Sequence, residues 1–276
     1  MRGGLGAVIG TDFIQTLIII IGIVITGFAV LSQVSVGEIH AELSANKPAL
    51  LDVLFPAAIM AIFNNLLFGL GEVFHNNVWW SRAFAFREGV GGKAFFIGGL
   101  VWLPIPVAAG FIALASGALG VAVPSADMVG PLVIAQVLGT AGAIGIFIIV
   151  FCSLASSIDS LLAATSDLVT EDIWRRLLRP DASPAALKSA AQWITLALGL
   201  LTWALCAPRI GTLASVLFFA GPLVGAMIFP IITGLYWCSA STAGALGAML
   251  LGAGAGLICY FTIGWFVATT IATAVS

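Results

Sequence analysis

Charge is scarce in this chain. Of its 276 residues only 8% are Asp, Glu, Lys or Arg, and the formal net charge is −2. A soluble domain carries about 25% charged residues, so a surface wetted on all sides is excluded. No nucleic-acid face is expected either, because that needs clustered Lys and Arg. Histidine is almost missing: His40 and His75 stand apart, with no HExxH, which leaves no metallohydrolase or haem signature. Cys152, Cys206, Cys238 and Cys259 lie in or beside apolar runs and form no CxxC pair, so neither a zinc site nor a disulfide framework is indicated. Low-complexity tracts and a polar segment large enough for a soluble domain are also lacking.

What the chain has in abundance is apolar length, with 61% hydrophobic residues. The expected fold class is all-α, a polytopic membrane protein of about seven transmembrane helices. The spans are placed at residues 12–34, 50–86, 93–117, 131–171, 186–207, 210–237 and 241–270. The whole chain, 1–276, is read as one membrane domain. Its first apolar run is long enough to be a span rather than a cleavable leader.

Positive charge sets the expected orientation. With the N-terminus cytoplasmic, Arg2, Arg82, Arg87, Lys93, Arg175, Arg176, Arg179 and Lys188 fall inside, and only Lys47 and Arg209 fall outside. That asymmetry is the positive-inside pattern. An odd number of spans then puts the C-terminus outside, in a multi-pass inner (cell) membrane protein.

The second segment is too long for one crossing. Residues 50–86 would make a helix of about 55 Å, against a hydrocarbon core of about 30 Å. A break is expected at "NNLLFGLGEVFHNN", where Gly69 and Gly71 flank a leucine. Glu72 comes next, about 15 Å along a helix from Arg82 and so near the membrane midplane. Irregular backbone at that depth is tolerated only inside protein or along a cavity.

The fourth segment carries an unusual polar stretch, "FCSLASSIDSLLAATSD", Phe151 to Asp167. On a helix, Ser153, Ser156, Ser157 and Ser160 share an arc of about 100°. Ile149 and Asp167 extend that stripe, and Cys152, Asp159 and Ser166 flank it. Small hydroxyl residues let membrane helices pack closely. A carboxylate in mid-span, Asp159, points beyond packing to an aqueous or functional interior. Hydroxyls together with backbone carbonyls supply the oxygen ligands that a hard cation such as sodium requires.

Three stretches resemble the sodium:solute symporter family. "GGLGAVIGTDFIQ", Gly3 to Gln15, resembles its "GG-x-x-A-V-x-x-T-D-x-x-Q" signature. "CSLASSIDSLLAATSDLVTEDIW", Cys152 to Trp174, resembles its sodium-site helix, and "GPLVGAMIFPIITGLYWCSASTAGALGAMLLG", Gly221 to Gly252, a later turn. "FGLGEVFHNNVWWSRAFA" and "SLASSIDSLLAATSD" are most similar to the urea active transporter branch. The resemblance implies a core of two inverted five-helix repeats, with sodium between the first and eighth core helices and solute between the first and sixth. Matched to that core, the chain starts at the fifth helix and holds the second repeat plus one more helix. The first four core helices are expected to be absent, which makes the chain the C-terminal part of a transporter.

By this resemblance, sodium is the coupling ion, and no other cofactor is implied. Its ligands would be Ser153, the Ile149 backbone carbonyl and the position of Cys152, where the family has a hydroxyl; a thiol there weakens the site or shifts a ligand role to Ser156. Asp12 matches an aspartate linked to sodium passage, and it also reads as an N-cap with Thr11. Asp159 joins it as an ion-pathway candidate. Glu72 falls at the inner solute gate, with Gly69, Asn76 and Asn77 beside it. A carboxylate taking two N–H bonds, with an amide on the carbonyl, would select urea. The alternative for Glu72 is a cap on the second half-helix, where the dipole favours a carboxylate. Trp79 and Trp80 read as packing or interfacial residues, or as flat walls of the site.

Two other classes of function remain on sequence grounds: a sensor or scaffold module of the same fold, and a symporter for another solute. An intramembrane enzyme is disfavoured. Asp159 and Asp167 would lie about 12 Å apart along one helix, and no nucleophile–base set accompanies them. Protons are an alternative coupling ion, carried by Asp159 or Glu72. The expected partners are urea or a similar solute, sodium and the lipid bilayer.

Overall fold

The structure, a computed structural model, describes residues 4–208 and 211–276; Met1, Arg2, Gly3, Arg209 and Ile210 lie outside them. The helices are α1 (Gly4–Gln33), α2 (Val36–Asn46), α3 (Pro56–His75), α4 (Asn77–Ala85), α5 (Gly91–Trp102), α6 (Pro104–Leu114), α7 (Val129–Leu168), α8 (Pro184–Cys206), α9 (Leu213–Phe219), α10 (Gly221–Gly225), α11 (Ile228–Tyr236), α12 (Thr242–Thr262) and α13 (Trp265–Val275). Among the described residues seven helical stretches are long and apolar enough to cross a membrane, so the chain is a multi-pass, all-α membrane protein. Phe28, Phe147 and Leu250 are each more than two-thirds exposed. Lipid tails are the solvent that such a surface fits.

The chain divides into two compact units. One runs to Pro48 and resumes at Ser81–Pro208; the other holds Ala49–Trp80 and the segment ending at Ser276.

In the first unit α1 lies along α7 and also packs on α6. Its core joins Val30 and Val34 to Ile39 and Leu43 of α2, Ile112 of α6, and Val133 and Ile134 of α7. The start of α2 is a reciprocal cap. The Ser35 hydroxyl accepts from the Glu38 N–H, and the Glu38 carboxylate accepts from the Ser35 N–H at 2.8 Å. Those Ser35 bonds hold the Glu38 carboxyl below its ordinary range.

α1 begins by Gly4, well before the expected residue 12. Thr11 and Asp12 therefore sit two turns inside it, and the N-cap reading of that pair is overturned. α5 and α6 form one apolar span, Gly91–Leu114, interrupted at Pro104, which lacks an N–H for the ladder. The 40 residues of α7 would be about 60 Å long if straight. They are not straight: Gly139 has φ 60° and ψ −143°, so the helix turns there. Gly142 then lies against the Ile134 carbonyl and the Leu138 Cβ, with no room for a side chain of its own. Beyond Leu168 the chain continues as a π-helix, Val169–Leu178.

In the second unit the span Leu213–Tyr236 comprises α9, α10 and α11 end to end. The expected last span, 241–270, is corrected. α12 ends at Thr262, and Gly264 at φ 138° reverses the chain. α13 folds back along α12, where Gly252 and Gly256 let the backbone of Ala272 and Ala268 approach. Asn64 of α3 is fully buried, and its Oδ1 accepts the N–H groups of Thr269 (2.9 Å) and Thr270 (3.3 Å) on α13. Gly71 of α3 meets the Val224 carbonyl of α10 so closely that any Cβ would clash.

Candidate functional site

The predicted break in the second segment is real and falls within the expected stretch, but at Asn76 rather than at the Gly69 and Gly71 pair. α3 runs unbroken through Gly69 and Gly71 and stops at His75. Asn76, at φ −90° and ψ 116°, is extended, and α4 starts at Asn77. Asn side chains compete well with helical backbone bonding, and here one does. The Asn76 Oδ1 accepts the Val78 N–H at 3.0 Å, capping α4.

Glu72 is in the last turn of α3, so its place at the N-terminus of a second half-helix is corrected. A helix C-terminus carries partial negative charge and gives a carboxylate no dipole stabilisation. The half-buried carboxylate is held by side chains instead. Oε1 accepts the Asn76 Nδ2–H at 2.9 Å, and Oε2 accepts the Trp79 Nε1–H at 3.0 Å. Trp80 Nε1 donates to the Phe74 carbonyl at 2.7 Å. Both tryptophans thus use their polar edge across the break, a role that reading them as walls or packing residues missed. Gly69 lies one turn before Glu72, exposed and with open space around it. Asn77 is half-buried at the head of α4.

The polar face of α7 is organised around Asp12. Ser156 Oγ donates to Asp12 Oδ1 at 2.6 Å, and Ser160 Oγ lies 3.4 Å from Oδ2. Arg82 Nη2 donates to Asp12 Oδ2 at 2.9 Å and to Ser160 Oγ at 2.8 Å. Sequence reasoning counted Arg82 as a cytoplasmic surface charge and missed this pairing. The available signal was one aspartate in an apolar helix, which demands a compensating charge.

Of the proposed sodium ligands, Ser153 Oγ and the Ile149 carbonyl are together, 2.9 Å apart, with the hydroxyl donating to the carbonyl. These are hard oxygens that suit sodium. Cys152 is buried beside them and brings a soft sulfur. Ser156 directs its hydroxyl to Asp12. Asp159 lies one turn from Ser156, with Oδ2 at 3.4 Å from Thr11 Oγ1. Its Oδ1 is buried without a partner among the described residues.

The family model for the sodium:solute symporter family matches residues 1–252. Among curated relatives, the urea-proton symporter DUR3 of Oryza sativa subsp. japonica is 27% identical over 79% of this chain and 31% of its own length. The probable urea active transporter 3 of Schizosaccharomyces pombe is 27% identical over 94% of this chain and 44% of its own length. The osmoregulated proline transporter OpuE of Bacillus subtilis is 28% identical, at 93% and 53%. The chain therefore spans about half the length of these relatives or less. No solved structure matches it. With the family model covering nine-tenths of its residues, the chain belongs to the sodium:solute symporter family.

Proposed function

We propose that this chain forms the ion- and solute-handling part of a secondary transporter that takes up urea, or a similar small polar solute, with sodium. The family match over residues 1–252 is the observation that carries the reading. The names of two relatives, both urea transporters, favour urea as the solute.

Sodium is assigned to Ile149, Cys152, Ser153 and Ser156. Asp12 and Asp159 are assigned to its path. The solute is assigned to Gly69, Glu72, Asn76 and Asn77. Glu72 accepts N–H groups, and Asn76 carries the amide that a urea carbonyl requires. The mechanism is alternating access: sodium favours the outward-open state, solute binds at the helix break, and the inward sodium gradient drives the cycle. The N-terminus is assigned to the cytoplasm and the C-terminus to the outside.

One relative is named a urea-proton symporter, so the test carries two arms. The protein expressed from its native gene is reconstituted into proteoliposomes and given labelled urea under an imposed sodium gradient or an imposed proton gradient. Uptake driven by sodium is expected. Uptake driven only by the proton gradient would transfer the coupling role to protons. Failure of either gradient to drive urea, with proline accumulated instead, would overturn the solute.

A further inference from the structure

We infer that Asn76 and Trp79 determine which ligands reach Glu72, by occupying its two oxygens until a ligand with two parallel N–H donors replaces them; this rests on the assignment of Glu72 to the solute site.

The geometry is specific. Each carboxylate oxygen takes one N–H, from Asn76 Nδ2 at 2.9 Å and from Trp79 Nε1 at 3.0 Å. That is the pattern a bidentate partner presents to a carboxylate. Both donors lie beyond the end of α3. Asn76 is the extended residue of the break, and Trp79 is in the first turn of α4. Glu72 is on the other side of the break, so the carboxylate closes the corner through side chains alone. The Asn76 N–H to Glu72 carbonyl bond, at 3.2 Å, is a backbone bond that exchange at the carboxylate leaves in place.

Replacement has a chemical condition. A ligand that returns one N–H to each oxygen leaves no acceptor unpaired. A ligand with a donor on one side only leaves the second oxygen short or still bound to the protein, and a half-buried acceptor without a partner is costly. Sites built to satisfy polar groups reject analogues that lack them far more strongly than apolar pockets reject a missing methyl. The class selected is ureas and amidine-like molecules, which carry N–H groups on two nitrogens of one edge. Sugars and carboxylates are refused. Trp79 is thus a specificity residue: its indole N–H is an internal competitor that weak or one-sided ligands fail to displace.

Isomeric dimethylureas test this without any mutation. N,N′-dimethylurea keeps an N–H on each nitrogen, whereas N,N-dimethylurea keeps both on one. In proteoliposomes of the native-gene protein, the N,N′ isomer is expected to inhibit labelled urea uptake at roughly 10-fold lower concentration, the effect of one bond to a charged group. Trp79→Phe removes the indole donor and is expected to lower the half-saturating urea concentration by up to roughly 10-fold, because a competitor is gone. Equal inhibition by the two isomers would overturn the inference. So would an unchanged half-saturation in Trp79→Phe while Glu72→Gln loses urea uptake, a result that leaves Glu72 at the solute site. Glu72→Gln transporting urea like wild type would overturn the assignment and the inference together. Should Trp79→Phe fail to fold, the isomer comparison still decides.

Discussion

Arg82 and Asp12 form an ion pair, 2.9 Å between Nη2 and Oδ2, with each side chain 20% exposed. Ser156 and Ser160 complete the set. Removing one partner of a buried pair strands the other charge and costs several kcal/mol, whereas exposed pairs contribute little. At one-fifth exposure, Asp12→Asn or Arg82→Gln is expected to destabilise the protein by about 1–3 kcal/mol. The double variant should lose less than the sum of the two. Thermal unfolding in detergent of the four proteins gives the coupling, and strictly additive losses would show that the pair contributes nothing jointly.

The proposed sodium site predicts opposite effects at two neighbours. Ser153→Ala should raise the sodium concentration for half-maximal uptake far more than it changes the urea requirement. Cys152→Ser should lower the sodium requirement, since oxygen is the harder ligand. Sodium titrations of uptake at fixed urea check both, and unchanged titrations in both variants would remove α7 from the ion site.

Gly139 is expected to be hard to replace through its backbone alone, since a Cβ there would meet open space. Its φ of 60° and ψ of −143° put any side chain in a backbone region reserved for glycine, at a cost of about 1–3 kcal/mol. Gly139→Ala should lower the melting temperature clearly. Gly145→Ala, at a position with open space around the would-be Cβ, should stay within about 0.5 kcal/mol of wild type. Equal melting temperatures would mean that the turn at Gly139 is not needed.

Orientation can be read by labelling. In a background with the four cysteines removed, Ala182→Cys should resist an impermeant maleimide applied from outside, and Ala45→Cys should react. Strong outside labelling at position 182 would reverse the assignment.

Most of the helical layout was legible because apolar length is a direct record of bilayer thickness. Seven spans were expected, and seven stretches qualify among the described residues. The misplacements share one cause: interruptions come from backbone and side-chain chemistry that hydropathy does not register. Gly69 and Gly71 looked like a break, but Gly71 is small so that Val224 can approach, and the helix continues through both. Asn76 made the break by capping α4 with its own side chain. Gly264 ended α12 in the middle of an unbroken apolar run. The serine face of α7 was legible from periodicity. Its partner Arg82 was not, because a pairing between Asp12 and a residue 70 positions away has no periodic trace.

Asn64 sets an order of assembly. Its amide oxygen is satisfied by Thr269 and Thr270, more than 200 residues later in the chain. During synthesis α3 enters the bilayer long before α13 exists, so for most of that time a carboxamide stands in hydrocarbon without this partner. An unmet polar group in lipid is expensive. Docking of α13 supplies donors to the amide oxygen alone, Nδ2 staying buried without a partner among the described residues, and a chain halted before Thr269 would lack even those donors.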